Sequence, residues 1–195
     1  MNPVPQDTVQ RLSARQRLLD AANELFYAEG VHRVGIDRVI ERAGVAKASL
    51  YNTFGSKDEL VHAYLQGRHA AAVERIERAT AGLESPRDRL AAIFDSQGRL
   101  FAQPGFRGCA FASASAEEQP GGLVEEATNA YRAWFRELFT GIARDGGAPD
   151  PEQLGRQLQQ LHDGASASAR LDHDTDSAST VARVAALALY DAATA

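Results

Sequence analysis

Four N-cap signatures, at Ser13, Ser56, Ser85 and Asp150, each open a run of apolar residues spaced three and four apart. No stretch of the chain alternates convincingly with the period of two that a half-buried strand needs. In Ser13-Ala-Arg-Gln16 and Ser56-Lys-Asp-Glu59 a hydroxyl can accept from the N3 amide while the side chain at N3 reaches back. Ser85 and Asp150 each precede a proline, which at the first helical position lacks only an N–H that would be orphaned anyway. The pattern predicts an all-α fold of about nine helices, without repeats or low-complexity tracts. The first runs from its cap at Ser13 to a left-handed terminator at Gly30. Next come Ile36–Ala43, Ala46–Phe54, and a long helix from Ser56 to about Ala79. A helix follows from Ser85, carrying Leu90, Ile93, Phe94, Gln97, Leu100 and Phe101 along one side. The remainder are about Arg107–Glu117, Leu123–Arg144, one capped at Asp150, and Asp176–Ala193.

Charge divides the chain unevenly. Residues 1–70 carry nine Lys/Arg against eight Asp/Glu, whereas residues 71–195 carry twelve against eighteen. The total of −5 argues mildly against nucleic acid, but placement matters more than the total. Both lysines of the chain, Lys47 and Lys57, fall in "AGVAKASLYNTFGSKDEL", residues 43–60. There two short helices meet at Gly44 with the lengths of a helix-turn-helix. Val45, Leu50 and Phe54 are expected to face inward, toward the first of these helices and toward Leu25 and Phe26. Lys47 with Tyr51, and Ala48 with Asn52, are i,i+4 pairs on the opposite face. A cation and a phenol suit phosphate oxygens, an amide suits base edges, and an alanine permits close approach. On helix geometry alone, a solvated hairpin that binds nothing is an equally open reading.

The text of residues 13–64 resembles the N-terminal domain of TetR/AcrR family transcriptional regulators. The resemblance rests on "RLLDAANELFYAEG", "GIDRVIERAGV" and the opening stretch: Ala-Gly-Val, a lysine, Leu50-Tyr51, the aromatic Phe54, and Ser56-Lys57. It implies that Ala46–Phe54 is a recognition helix. Tyr51 and Lys57 then fall on phosphate-binding positions and Ser49 on a hydroxyl position that often joins them. Lys47, Ala48 and Asn52 fall where base edges are approached. Departures from the family pattern are Gly35 where threonine is frequent, Asp37-Arg38 where Arg-Asp is frequent, and Thr53 where histidine or tyrosine often stands. Arg38 is therefore expected to reach phosphate from a different angle. The implied organisation is an arm at residues 1–12, a DNA-binding domain at 13–64 and a ligand-binding and dimerisation domain at 65–195.

In that second part the resemblance lies in length, helix content and order. It implies a homodimer on double-stranded operator DNA, a repressor released by an unidentified small-molecule effector. The candidate effector residues are Phe101, Cys109, Phe111, Trp134, Phe135 and His162, although aromatic stripes at helical spacing more often form plain core. The segment "GFRGCAFASASAE", residues 105–117, resembles members with a Gly-Cys pair at the start of the sixth helix. Cys109 is the single cysteine, which rules out an internal disulfide; such a residue is more often a small buried hydrophobe than a sensor. Neither His162-Asp163 nor His173-Asp174 offers metal ligands at helical i,i+4 spacing, so no metal and no cofactor is expected. Small residues in the last two helices (Gly164, Ala165, Ala167, Ala169; Ala182, Ala185, Ala186, Ala188) allow close packing. Such packing serves an internal pair or, as the resemblance implies, a four-helix bundle between subunits. The rival reading is a helical enzyme or carrier without operator binding. Against an enzyme, there is no Ser/His/Asp set, no paired carboxylates on one helix face and no phosphate loop. No apolar run spans a bilayer and the start lacks a signal-peptide layout, so no membrane association and a cytoplasmic location are expected.

Overall fold

The computed structural model describes residues 12–195, and the expected arm falls, Leu12 apart, outside the described residues. Nine α-helices follow one another among those residues: α1 (Ala14–Glu29), α2 (Ile36–Ala43), α3 (Lys47–Phe54), α4 (Lys57–Thr80), α5 (Pro86–Phe101), α6 (Ala110–Glu117), α7 (Leu123–Asp145), α8 (Pro151–Leu171) and α9 (Thr175–Thr194). Each expected cap forms. Ser13 Oγ accepts from the Gln16 amide at 3.1 Å and Ser56 Oγ from that of Glu59 at 3.1 Å. Ser85 and Asp150 do the same for Asp88 and Gln153, at 3.3 and 2.9 Å. The reciprocal half of the first box is not made, because Gln16 Nε2 donates to Asp20 Oδ1 at 2.8 Å instead.

Two local expectations are corrected. Gly30 ends α1 at φ 99°, ψ 153°, outside the left-handed helical well and in a region only glycine occupies comfortably. Its backbone also passes beside the Glu117 carboxylate, which a Cβ would strike. The sixth helix starts at Ala110 rather than near Arg107. Gly108 sits at φ 92°, and the Tyr27 hydroxyl holds the loop by accepting from the Arg107 amide at 2.9 Å and donating to the Gly108 carbonyl at 3.0 Å.

Apolar side chains gather in two clusters. One joins α1 to α3 and the first turns of α4 (Leu60, Val61, Tyr64, Leu65) with Phe111 and Ala114 of α6 and the start of α7. The other centres on Phe94, Phe135, Phe139 and Leu158 and draws on α5, α7, α8, α9 and Ile76 of α4. Burying one such aromatic contributes about 1.5–3 kcal/mol. Between Leu65 and Ile76 the inward stripe of α4 continues as Arg68, Ala72 and Arg75, and there the packing opens into a cavity. Among the described residues no helix is long and apolar enough to cross a membrane.

Candidate nucleic-acid interface and internal cavity

Gly44, in the left-handed conformation at φ 62°, ψ 44°, turns the chain between α2 and α3 without the Cβ clash another residue would meet. Arg17 of α1 fixes that turn by donating to the Gly44 carbonyl at 2.9 Å. Leu50 is fully buried, with Val45 and Phe54 half-buried behind it. That packing leaves Lys47, Ala48, Tyr51 and Asn52 exposed on one side of α3, with Tyr51 46% accessible. Ser49 is half-buried, and its carbonyl accepts from Thr53 Oγ1 at 2.6 Å.

The surrounding cations are already engaged. Lys47 Nζ meets Asp37 Oδ1 at 2.9 Å, and that hydrogen bond raises the ammonium above its ordinary value. Arg38 pairs with Glu29, and Arg42 with Glu24 at 2.7 Å. Exposed pairs of this kind contribute little and exchange readily. Lys57 Nζ donates to the His32 carbonyl at 3.3 Å. The His32 amide in turn donates to Glu117 Oε2 at 2.7 Å, so the backbone of one residue ties the end of α6 to Lys57. Nothing in the sequence pattern pointed to His32 or Glu117, whose connection spans 85 positions.

The internal cavity, open to solvent at one side, holds about 280 Å³ between α1, α4, α5, α6, α7 and α8, just below the usual range of ligand sites. Of the sequence candidates, Cys109, Phe111 and His162 line it together. Phe101 and Phe135 do not. They are buried in the second cluster, Phe101 against Phe106 at 4.8 Å and Phe135 against the His162 ring at 4.3 Å. Trp134 faces a separate shallow hollow with Leu138 and Ile142. Unanticipated lining residues are Tyr27, Arg68, Arg75, Gln97 and Tyr131. Phe111 and Tyr131 stack at 4.0 Å. Burial pushes the Cys109 thiol up and the His162 imidazole down, so each is neutral near pH 7. Asp163 stands 4.0 Å from His162 Nδ1, too far to hydrogen-bond, and is taken by Arg132 at 2.7 Å. Among the described residues no cluster could hold a metal ion.

The last two helices pack on each other through Ala165, Ala169, Ala182 and Ala186, all buried. Their outer face leaves Leu171, Val181 and Val184 at 75, 65 and 59% exposure. A groove of about 380 Å³ runs along it between Gly164 and Ala185.

Comparison with known proteins places these features in context. Residues 18–64 match the model of the family "Bacterial regulatory proteins, tetR family". The crystal structure of SCO4454, a TetR-family transcriptional regulator from Streptomyces coelicolor, is 35% identical and superposes with a TM-score of 0.88 over 93% of this chain and 96% of that one. The HTH-type transcriptional activator FasR of Mycolicibacterium smegmatis is 37% identical over 95 residues, 49% of this chain and 41% of that protein. The HTH-type transcriptional repressor NemR of Escherichia coli is 31% identical over 105 residues, 53% of each chain. The matched stretches thus span about half the length of these two curated relatives.

Proposed function

Because the chain belongs to the TetR family of transcriptional regulators, we propose that it binds operator DNA as a homodimer and is released by a small molecule held in the internal cavity. The observation that carries this reading is the open face of α3, where Tyr51 and Asn52 stand uncovered beside Ala48 and Lys47. Asn52, Lys47 and Ala48 approach base edges. Tyr51, Ser49, Arg38 and Lys57 engage the phosphate backbone, Arg38 and Lys47 by exchanging their carboxylate partners for phosphate. The apolar outer face of α8 and α9 pairs two copies, giving the twofold arrangement that two half-sites require.

Effector and DNA communicate through α4 and α6. Cavity residues Tyr27, Cys109 and Phe111 sit where α6 meets α1, and Glu117 at the far end of α6 grips the turn that also holds Lys57. A ligand that shifts α6 therefore shifts the recognition unit. A preference of about 1–3 kcal/mol between two head spacings is a typical coupling energy. Linkage is reciprocal, so operator DNA must weaken the effector by the same factor. A gel shift against DNA upstream of the protein's own coding region tests the reading. Retarded DNA that is lost in Asn52→Ala supports it. No retardation of that DNA at micromolar protein turns the reading toward a helical carrier. The sign of regulation is proposed as repression, and a reporter that falls silent when the gene is deleted would reverse it.

A further inference from the structure

The cavity wall is cationic without a counter-charge. Arg68, Arg75 and Arg78 line it, and no aspartate or glutamate does. Arg78, at the mouth, is exposed and pairs with Glu74 at 3.5 Å. Among the described residues neither Arg68 nor Arg75 forms an ion pair. Arg75 Nη1 donates to Ser96 Oγ at 2.7 Å, and burial followed by the nearby Arg99 lowers its guanidinium from the ordinary value. Arg68 lies 3.9 Å over the Tyr27 ring with its Nε buried and unpartnered. An arginine that merely covers apolar surface turns its head to water. Here Arg68 and Arg75 follow one another at a spacing of seven residues on the inward face of α4, both half-buried, and each is held by a neutral group alone, the Tyr27 ring and the Ser96 hydroxyl, so neither charge is balanced within the wall.

The rest of the wall describes the body of the missing partner. The stacked Phe111–Tyr131 pair, Phe106, Leu100 and Ala72 are flat or apolar. Gln97 Oε1 and both ring nitrogens of His162 are buried without hydrogen-bond partners. We propose that the cavity takes a small organic monocarboxylate on a flat apolar body, its anionic group between Arg68 and Arg75 and its ring against Phe111 and Tyr131. The assignment rests on, and deepens, the reading of the cavity as the effector site. A cationic ligand of the same size would meet two uncompensated positive charges. A carboxylate instead supplies the charged acceptor that neither guanidinium group has.

Calorimetric titration of the full chain with three matched pairs tests this: benzoate and benzamide, phenylacetate and phenylacetamide, 1-naphthylacetate and 1-naphthylacetamide. The expected result is at least one acid bound about tenfold more tightly than its amide, as charged hydrogen bonds require. That acid should lose about tenfold in Arg68→Gln and in Arg75→Gln, and Arg75→Lys should recover part of the loss. Should one variant fail to melt cooperatively by circular dichroism, the other variant and the acid–amide ratio carry the test. Amides that match their acids, Gln variants that bind acids as the parent does, or no binding by any compound at about millimolar concentration overturns the proposal. The gel shift, repeated with the bound acid, separates the two claims. Arginine-dependent binding that leaves DNA affinity unchanged sinks the effector reading alone. A neutral amide that binds and releases DNA sinks the anion alone.

Discussion

The head, α1 to α3, and the cavity both carry cations, and they treat them oppositely. In the head, Lys47, Arg38 and Arg42 lie on the surface, and each rests against a carboxylate of a neighbouring helix. In the cavity, Arg68 and Arg75 are half-buried and rest against a ring and a hydroxyl. Water makes the first arrangement inexpensive to form and to exchange, so the pairs hold the cations ready without holding them fast. The second arrangement leaves two half-buried charges against neutral groups alone, contacts that a charged acceptor from outside would outdo. The two proposed sites differ accordingly: surface pairs would exchange a carboxylate for phosphate, and half-buried arginines would exchange neutral contacts for a charged one.

The contrast predicts that the head is helpless without its twin, while the core folds regardless. In Gly164→Arg a Cβ would meet no atom within 4 Å, and replacing glycine inside a helix favours the helix. The variant should therefore still fold and melt cooperatively, its melting temperature lowered only by whatever stability association supplies. On the outer face, however, the arginine would place a charge in the proposed interface between two copies with no partner for it. Monomers by sedimentation velocity and at least about hundredfold weaker operator binding are expected, since a single half-site offers too few contacts. Ala185→Arg probes the opposite wall of the groove. A Gly164→Arg protein that stays dimeric would move the interface elsewhere.

Within the head, specific and general contacts should separate. Asn52→Ala should relax the preference at one base pair by about 1–3 kcal/mol of discrimination. Lys57→Ala should weaken all sequences alike and reduce the slope of log affinity against log salt by about one. The bond from Lys57 to the His32 carbonyl offers a sharper outcome. If the slope is unchanged while affinity falls, Lys57 works by holding the turn rather than by touching phosphate.

In the core the comparison sharpens on His162. Burial holds its folded value below that of the free imidazole, so as pH drops below about 6.5 the unfolded chain takes up the proton first. Stability is therefore fully present above that pH. It falls by up to about 1.4 kcal/mol per pH unit below it, until the folded ring also titrates. His69, lowered by burial in the same way, adds to the decline. His162→Leu should flatten thermal stability between about pH 6.5 and 5 relative to the parent. Parallel profiles would mean that the ring carries its proton in both states.

How far each region could be read from sequence follows from the same contrast. The head is built from local rules: Ser13 and Ser56 cap, Gly44 turns, Leu50 packs, and what remains on α3 must face out. The first helix boundaries fell within a residue or so for that reason. The cavity depends on contacts distant in sequence, such as Tyr27 with the Gly108 loop and Glu117 with His32, which periodicity does not encode. Phe101, Trp134 and Phe135 were candidates because they are aromatic, yet an aromatic fills core as readily as it lines a void. A better signal was present. Val61, Tyr64, Leu65, Ala72 and Ile76 define an inward stripe on the long helix, and Arg68 and Arg75 fall in its register. An arginine at a core position is more informative than another phenylalanine there.

The smallest effect tests whether the ion pairs of the head are truly idle. Asp37 and Lys47 keep 83 and 60% of their side-chain surface exposed, so Asp37→Asn should leave the melting temperature unchanged. DNA binding should change in the other direction from most surface substitutions. As phosphate approaches α3, the Asp37 carboxylate both repels it and competes for Lys47. Removing that charge should tighten operator binding about two- to threefold at low salt, with the gain fading as screening shortens the reach of both charges. Affinity that drops instead would mean that Asp37 aims the lysine at its base or phosphate. The surface pairs would then be as purposeful as the unpaired arginines below, and exposure alone would no longer distinguish a cation held in reserve from one placed for a partner.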